Sequence, residues 1–186
     1  MFKVVILASR SPRRAELLRA AGIVAEVVAT DVDEAPRAGE RPGAYVERLA
    51  IEKAQAVAAA RPEATVIGAD TTVVVDGRML GKPADGADAA LMLRALQGRA
   101  HDVLTGVAVV GPDGVRSAVD RTTVWFSPMS DGEIAWYVES GEPMDKAGAY
   151  AIQGLASRWV PRIEGSYSNV VGLPMTVVMQ LLAGRF

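Results

Sequence analysis

The sequence predicts an α/β fold built on a mixed, twisted sheet. Short apolar runs typical of buried strands alternate along the chain with segments whose apolar residues recur at helical spacing. Hairpin signals at Asp76-Gly77 and at residues 111–114 add antiparallel strands to this alternation, so the sheet should be mixed. The chain has 186 residues, half of them apolar, which suits one domain over residues 1–186, with two lobes around a cleft.

Strands and helices alternate through the first half of the chain. The first helix should end at Gly22, because glycine readily takes the left-handed conformation that follows a helix. The second should end before Arg61-Pro62, and a loop over residues 30–42 precedes it. Strands are predicted at residues 3–8, 24–29, 65–68 and 72–75, and helices at residues 12–21, 43–60 and 85–96.

The second half of the chain is richer in strands. Ser130 followed by Glu133 is a capping box, which predicts the start of a helix over residues 130–140. Strands are predicted at residues 102–110, 115–126, 147–153 and 158–163, and a closing helix at residues 174–182.

Composition excludes several classes of function. The chain has no cysteine, so disulfides, thiolate nucleophiles and thiolate zinc sites are impossible. With one histidine, His101, multi-histidine metal sites are excluded, and that ring is expected either to be structural or to support a neighbouring functional residue. A net charge of -2 argues against a non-specific nucleic-acid partner. Neither a secretory signal nor a membrane span is predicted, so we expect a cytoplasmic protein without a membrane partner.

The segment after the first predicted strand has the features of an anion site. Ser11 can cap the following helix and Pro12 suits its first position. Arg13 and Arg14 oppose the positive end of the helix dipole, and a bound phosphate would offset that cost. The alternative is that both arginines are solvated surface charges.

Asp70 follows the apolar run Val66-Ile67-Gly68-Ala69, at the predicted end of a buried strand. A carboxylate in that position must be paired, metal-bound or catalytic, because an unpaired buried charge is costly. The alternative is that Asp70 caps a turn and accepts a hydrogen bond from the backbone of Thr72. Any metal here should be a hard cation on carboxylate oxygens, with magnesium or manganese favoured.

Two further polar residues stand in glycine-punctuated turns. Lys82 lies between Gly81 and Pro83, which can hold one ammonium rigidly, although an ordinary turn with a solvated lysine has the same pattern. Gln153 lies between apolar Ile152 and Gly154, so its amide can face a pocket and offer both a donor and an acceptor to a base edge. The alternative is an amide that satisfies loop backbone groups.

Five segments together, in this order, resemble the Maf family of nucleotide pyrophosphatases. They span nearly the whole chain: Ser11-Pro12-Arg13-Arg14, Gly68-Ala69-Asp70-Thr71, Gly81-Lys82-Pro83, residues 145–154 and residues 165–174. The resemblance implies a single Maf-like domain with a fold similar to that of inosine triphosphate pyrophosphatases. It also implies cleavage of a nucleoside triphosphate to the monophosphate and pyrophosphate, with a divalent metal cation as cofactor.

The resemblance also implies roles for individual residues. Asp70 matches the proton acceptor that activates water, and Glu34, in the Asp33-Glu34 pair, matches an acidic residue near the metal, so Glu34 and Asp70 are the expected metal ligands. Positions tied to base selectivity are matched by Arg13, Thr71 and Gln153. The polar and basic residues that line the triphosphate cleft are matched by Ser9, Arg13, Arg14, Lys53 and Lys82.

The segment over residues 145–154 is similar to the dTTP/UTP branch of the family, with Ala151 where that branch often has glycine. Pyrimidine triphosphates, normal or modified, are therefore the expected substrates, in the house-cleaning of nucleotide pools, and a homodimer is expected from the family. A nucleotide-binding regulator of cell division that acts through a partner is the alternative function. A sugar-nucleotide transferase is disfavoured because the first turn lacks a long glycine-rich loop.

Overall fold

A mixed sheet is the framework of the fold in the computed structural model, which describes residues 5–183. Residues 3 and 4 of the first predicted strand lie outside the described residues. The strands are β1 (Val5–Ala8), β2 (Glu26–Val28), β3 (Thr65–Val75), β4 (Arg78–Leu80), β5 (Ala100–Gly111), β6 (Gly114–Trp125) and β7 (Arg162–Glu164). The α-helices are α1 (Pro12–Ala20), α2 (Pro42–Ala58), α3 (Gly86–Leu96), α4 (Asp131–Glu139), α5 (Tyr167–Val171) and α6 (Met175–Leu182).

The strand order is β2-β1-β3-β5-β6-β7, with β4 also paired to β3. Strand β1 runs parallel to both β2 and β3, whereas β3 with β4 and β6 with β7 are antiparallel pairs. The predicted mixed sheet is therefore confirmed. The Asp76-Gly77 hairpin is also confirmed, because both residues take positive φ values, 50° and 73°, as a two-residue hairpin turn requires.

The chain divides into two compact units. Unit one comprises the described parts of Met1–Thr71, Thr105–Asp120 and Gly172–Phe186, and unit two comprises Thr72–Leu104 and Arg121–Val171. Strands β3, β5 and β6 each contribute residues to both units. The cleft that the sequence predicts stays a prediction.

Alternation along β3 divides the core of unit one into two clusters. Val66 packs with apolar side chains of α2, whereas Ile67 and Ala69 pack with apolar side chains of α1 and α6. Successive side chains of a strand point to opposite faces, so neighbouring residues of β3 must contact different helices.

Two glycines let α2 lie directly on the sheet in unit one. A Cβ at Gly68 would stand 2.2 Å from the carbonyl oxygen of Ala50, and a Cβ at Gly106 would stand 2.3 Å from that of Val46. Both distances are far shorter than a van der Waals contact, so only glycine permits this approach. Since Gly68 and Asp70 share one face of β3, this close approach brings α2 to the candidate site.

Unit two has its own core under α3 and α4. Its largest fully buried side chain is Tyr137 of α4, and the ring of Trp159 packs on it at 5.5 Å. His101 is buried against Phe126 and Tyr150, and its Nε2 lies 2.8 Å from the hydroxyl oxygen of Tyr150. These contacts favour the structural role, one of the two that the sequence left open for the histidine.

Three predictions of secondary structure were wrong. Residues 65–75 form one strand instead of two, so Asp70 lies within β3 and not at a strand end. Residues 147–153 are not a strand, because Gly148 and Ala149 take left-handed conformations inside a short 3-10 helix, Ala147–Ala149. Residues 158–163 contain only the start of β7, because the 3-10 helix Leu155–Trp159 buries Trp159 in the core of unit two.

Candidate active site

A lysine from α2 bonds two carboxylates in unit one. The Nζ of Lys53 lies 2.7 Å from Oδ1 of Asp70 and 2.6 Å from Oε1 of Glu34. Lys53 and Asp70 are buried, at 7% and 8% exposure, whereas the side chain of Glu34 is half exposed. The alternative in which Asp70 caps a turn was wrong, because Asp70 pairs with an ammonium in the middle of a strand. Three residues that the sequence placed in one site are therefore brought together here.

The electrostatics of Asp70 suit a proton acceptor. Burial raises the pKa of Asp70 above its ordinary value, and the positive charges of Lys53 and Arg14 only partly oppose that rise. Among the described residues, its hydrogen bond falls on Oδ1, which leaves Oδ2 able to accept another. Among residues 5–183, two of the three N–H donors of Lys53 have carboxylate partners, which leaves one for a further acceptor.

The loop that carries Glu34 is fastened to α2. The hydroxyl of Tyr45 donates to the backbone carbonyl of Glu34 at 2.9 Å, and Arg48 forms two hydrogen bonds, of 2.6 and 2.8 Å, with the carboxylate of Glu40. Burial, followed by the negative charges of Asp70 and Glu34, raises the pKa of Tyr45 to about 12. Its phenol therefore stays a neutral donor at physiological pH.

Arg14 joins four separate points of unit one. Its Nε donates to the carbonyl of Gly172 at 2.7 Å, and one terminal nitrogen donates to Ser9 Oγ at 3.1 Å and to the carbonyl of Ala69 at 2.8 Å. The other terminal nitrogen donates to Thr71 Oγ1 at 3.1 Å. The alternative of a solvated surface charge was wrong for this arginine. Burial lowers its pKa, with the carboxylate of Asp70 opposing that effect.

Thr71 lies on the opposite face of β3 from Asp70. Its hydroxyl accepts from Arg14 and is 2.9 Å from the hydroxyl of Thr105. Ser9 is buried at the end of β1, where its Oγ accepts from Arg14 and from the backbone N–H of Ser11. Ser11 stands at the N-cap position as predicted, but its side chain makes no capping bond.

The remaining predicted residues have different surroundings. Arg13 lies in the first turn of α1, and its charge lowers the pKa of Arg14. Lys82 and Gln153 belong to unit two and are exposed, and neither side chain forms a hydrogen bond to another described residue. The carbonyl of Gly81 accepts from the N–H of Gly148, which fixes the turn before Lys82.

A divalent cation would fit the carboxylates of Asp70 and Glu34. The described residues hold no group of three or more histidine, aspartate or glutamate side chains that could bind a metal ion. However, magnesium in nucleotide enzymes commonly takes one or two carboxylates and completes its shell with phosphate oxygens and water. Two carboxylates that share one ammonium meet that requirement.

Several supporting residues were missed by sequence reasoning. Tyr45 and Arg48 hold the loop of Glu34, and Gly106 admits α2 to the sheet, yet each occupies an ordinary position in its own element. The spacing of Tyr45 and Lys53, eight residues apart on a helix, could have indicated a shared face.

In unit one, a buried carboxylate–ammonium pair and two arginines in the first turn of α1 are groups suited to phosphate chemistry in an α/β enzyme. The comparisons with known proteins identify the family as well as the class of protein. The chain belongs to the Maf family, since the family model described as Maf-like protein matches residues 4–185. This confirms the resemblance seen in the sequence.

Curated relatives cover nearly the whole chain. A protein of Symbiobacterium thermophilum named dTTP/UTP pyrophosphatase is 55% identical over 96% of this chain and 92% of its own length. A protein of Koribacter versatilis with the same name is 54% identical over the same shares. Among solved structures, the Staphylococcus aureus Ham1 protein matches with a TM-score of 0.56 and 18% identity, covering 99% of this chain and 100% of that one. That likeness shows a shared fold.

Within residues 5–183, every helix is too short or too polar to cross a membrane.

Proposed function

We propose that the protein is a nucleoside triphosphate pyrophosphatase that converts dTTP and UTP to the monophosphate and pyrophosphate. The observation that carries the proposal is the name dTTP/UTP pyrophosphatase, which relatives 54–55% identical over 96% of the chain share. The buried Asp70–Lys53 pair beside Glu34 supports it, because anhydride hydrolysis needs a base and positive charge in one place. Modified pyrimidine triphosphates are included in the proposed range, in the house-cleaning of nucleotide pools.

Asp70 is the proposed general base. Its raised pKa makes the carboxylate a better proton acceptor, and Oδ2 is available to a water molecule. Lys53 keeps Oδ1 in place through a 2.7 Å hydrogen bond, so the carboxylate does not have to reorient during the reaction.

Cationic residues are proposed to bind the triphosphate. Lys53 has one N–H donor left for a phosphate oxygen, and Arg13 stands at the start of α1 where anions are favoured. Arg14 donates four of its five N–H groups to residues that the structure describes, so we propose that it acts through its charge and one remaining donor. Ser9 and Lys82 complete the proposed set.

Asp70 and Glu34 are the proposed ligands of a divalent cation, magnesium or manganese. When bound, such an ion would neutralise phosphate charge and lower the pKa of a coordinated water. Tyr45 and Arg48 serve this role indirectly, since they fix the loop that carries Glu34.

Gln153 is proposed to recognise the pyrimidine base. Its exposed amide offers a donor and an acceptor, and no described residue takes up either. Arg13 and Thr71 are the other proposed selectivity residues. The hydroxyl of Thr71 is already shared between Arg14 and Thr105, so its orientation is set before substrate binds.

The decisive experiment identifies products and follows the water oxygen. The purified protein is incubated with dTTP, UTP, CTP or GTP and with magnesium or manganese in ¹⁸O-labelled water. We expect dTMP or UMP with an equal amount of pyrophosphate, and a single label in one of the two products.

Release of dTDP and inorganic phosphate would contradict the proposed cleavage. Tight binding of dTTP without turnover under all metal conditions would favour the alternative function, a nucleotide-binding regulator.

A further inference from the structure

Gln153 lies on a turn whose two ends are both held by Glu142, one through Tyr137 and the other directly. The turn closes with a hydrogen bond from the N–H of Gly154 to the carbonyl of Ala151, at 3.1 Å. The residues before Gln153, Ala151 and Ile152, are buried at 7% exposure each, while Gln153 itself is exposed. A buried anchor with an exposed amide at its apex is suited to presenting that amide to a ligand.

The N-terminal end of the turn is held by a buried tyrosine. The backbone N–H of Ala151 donates to the hydroxyl of Tyr137 at 3.2 Å, and that hydroxyl donates to Oε1 of Glu142 at 2.8 Å. Tyr137 is fully buried, so its ring cannot move without disturbing the core of unit two. Burial and the neighbouring Glu142 raise the pKa of the phenol, which therefore remains a donor.

The C-terminal end of the turn is held by the same carboxylate. Oε2 of Glu142 accepts a 3.0 Å hydrogen bond from the N–H of Leu155. A Cβ at Gly154 would stand 2.3 Å from this oxygen, so only glycine allows the carboxylate to lie against the turn. Glu142 therefore holds the segment on both sides of Gln153, through the hydroxyl of Tyr137 on one side and by a direct hydrogen bond from Leu155 on the other.

The backbone of Glu142 is itself immobilised. Its N–H donates to Ser140 Oγ at 3.2 Å, and its carbonyl accepts from Lys146 Nζ at 2.6 Å. Ser140 in turn donates to the carbonyl of Tyr137 at 2.6 Å. This bond ties Tyr137 and Glu142, together called the clamp, to the end of α4. A clamp fixed at this many points costs little further ordering when a ligand binds.

We propose that Tyr137 and Glu142 are positioning residues for base selection, because they fix the turn that presents Gln153. This inference rests on the proposed function, in which the amide of Gln153 recognises a pyrimidine. Neither residue contacts the base. They hold the amide in one orientation before the ligand binds. Binding then does not require the turn to become ordered, so the hydrogen bonds of the amide contribute fully to selecting between bases.

The test compares Tyr137→Phe with Tyr150→Phe. Both substitutions remove one buried hydroxyl from unit two, but only Tyr137 bonds the turn, whereas Tyr150 bonds His101. We expect Tyr137→Phe to lower the ratio of kcat/KM for dTTP to that for GTP by about twofold to tenfold, no more than the loss expected on removing the amide of Gln153 itself. Most of the loss should lie in KM for dTTP. Tyr150→Phe should reduce stability and leave the ratio unchanged.

A second pair of variants reaches the clamp without changing Tyr137. Gly154→Ala should displace the carboxylate of Glu142 and lower the same ratio, whereas Gly132→Ala, which has open space around it, should not. Amide hydrogen exchange gives a readout that needs no activity. We expect faster exchange at Ala151 in Tyr137→Phe and at Leu155 in Gly154→Ala.

Three results would overturn the inference. One is an equal loss for all nucleotides with an unchanged ratio, while Gln153→Ala does change the ratio; the proposed function would then survive. Another is unchanged amide exchange at Ala151 and Leu155 in these variants. A wild-type protein that hydrolyses none of the nucleotides would overturn the proposed function and this inference together.

Discussion

The ammonium of Lys53 and the carboxylate of Asp70 form a buried ion pair with a separation of 2.7 Å between Nζ and Oδ1. The two residues are seventeen positions apart in the chain, and the pair exists because α2 lies flush on β3. Removing one member of such a pair leaves the other charge without its partner, which is costly in a buried setting. Glu34 lessens that cost for Lys53, because it bonds the same ammonium.

Asp70→Asn should lower kcat for dTTP by at least about a hundredfold, as expected on losing a general base. Asparagine has the same shape and keeps an oxygen for Lys53, so the thermal midpoint should stay close to that of the wild type. Steady-state kinetics and calorimetry check the two parts. Near-normal turnover in this variant would remove Asp70 from the mechanism.

Gly68→Ala should destabilise the protein by about 2–3 kcal/mol through overpacking, because the new Cβ would stand 2.2 Å from the carbonyl oxygen of Ala50. It should also lower turnover, since it pushes away the helix that carries Lys53. Gly43→Ala is the matched control in α2, with open space around it, and should change the free energy of unfolding by less than about 1 kcal/mol. Urea denaturation measures both. Equal free energies of unfolding for the two variants would show that α2 does not need a glycine beneath it.

Gln153→Ala should change base preference and not chemistry. We expect the ratio of kcat/KM for dTTP to that for GTP to fall by about tenfold, as expected for a lost pair of hydrogen bonds to a ligand. The control is Gln180→Ala, an exposed glutamine of α6, which should leave the ratio unaltered. If Gln153→Ala also leaves the ratio unmoved, the amide does not recognise the base.

His101 should make stability fall as the solution is acidified. Burial lowers its pKa from 6.5 to about 4, so between these values the unfolded chain binds a proton that the folded protein excludes. The free energy of unfolding should therefore fall as pH decreases from about 6.5 to about 4, by about 3 kcal/mol in total. Above 6.5 the ring is neutral in both states and contributes no slope.

Urea denaturation at several pH values, on wild type and His101→Gln, isolates this contribution. The difference between the two proteins should change across that pH window and level off outside it. Parallel curves through the whole window would mean that the ring titrates equally in the folded and unfolded states.

Local sequence signals predicted most elements correctly. The capping box of Ser130 and Glu133 forms as expected, and Gly22 ends α1 with a φ of +78°. These features depend on residues close in the chain, whose conformational preferences are fixed by local sterics and hydrogen bonding. The error at β3 has a tertiary cause. An aspartate usually interrupts a strand, but here Lys53 neutralises Asp70, so the strand continues.

Local signals also failed where distant atoms set the backbone. Gly148 takes a left-handed conformation, and its backbone packs against the side chain of Val73. A Cβ at position 148 would lie 2.7 Å from Cγ2 of Val73. The sequence reads there as a strand because its residues alternate and are apolar, and nothing nearby in the chain reports the contact with Val73.

The sequence by itself determined the family, the alternation of strands and helices, and the residue types of the candidate site. Motifs are short runs of residues, and the spacing of apolar residues shows which face of a helix or strand is apolar. Both can therefore be recognised from the sequence without coordinates. Only the tertiary structure decided which polar atoms are in contact. Lys53 pairs with both Asp70 and Glu34, and Arg14 donates four hydrogen bonds within the protein. Glu142 accepts a hydrogen bond from the backbone next to the turn of Gln153. These contacts depend on the exact packing of helices and strands. That packing is set by residues throughout the core, so no single motif in the sequence reveals it.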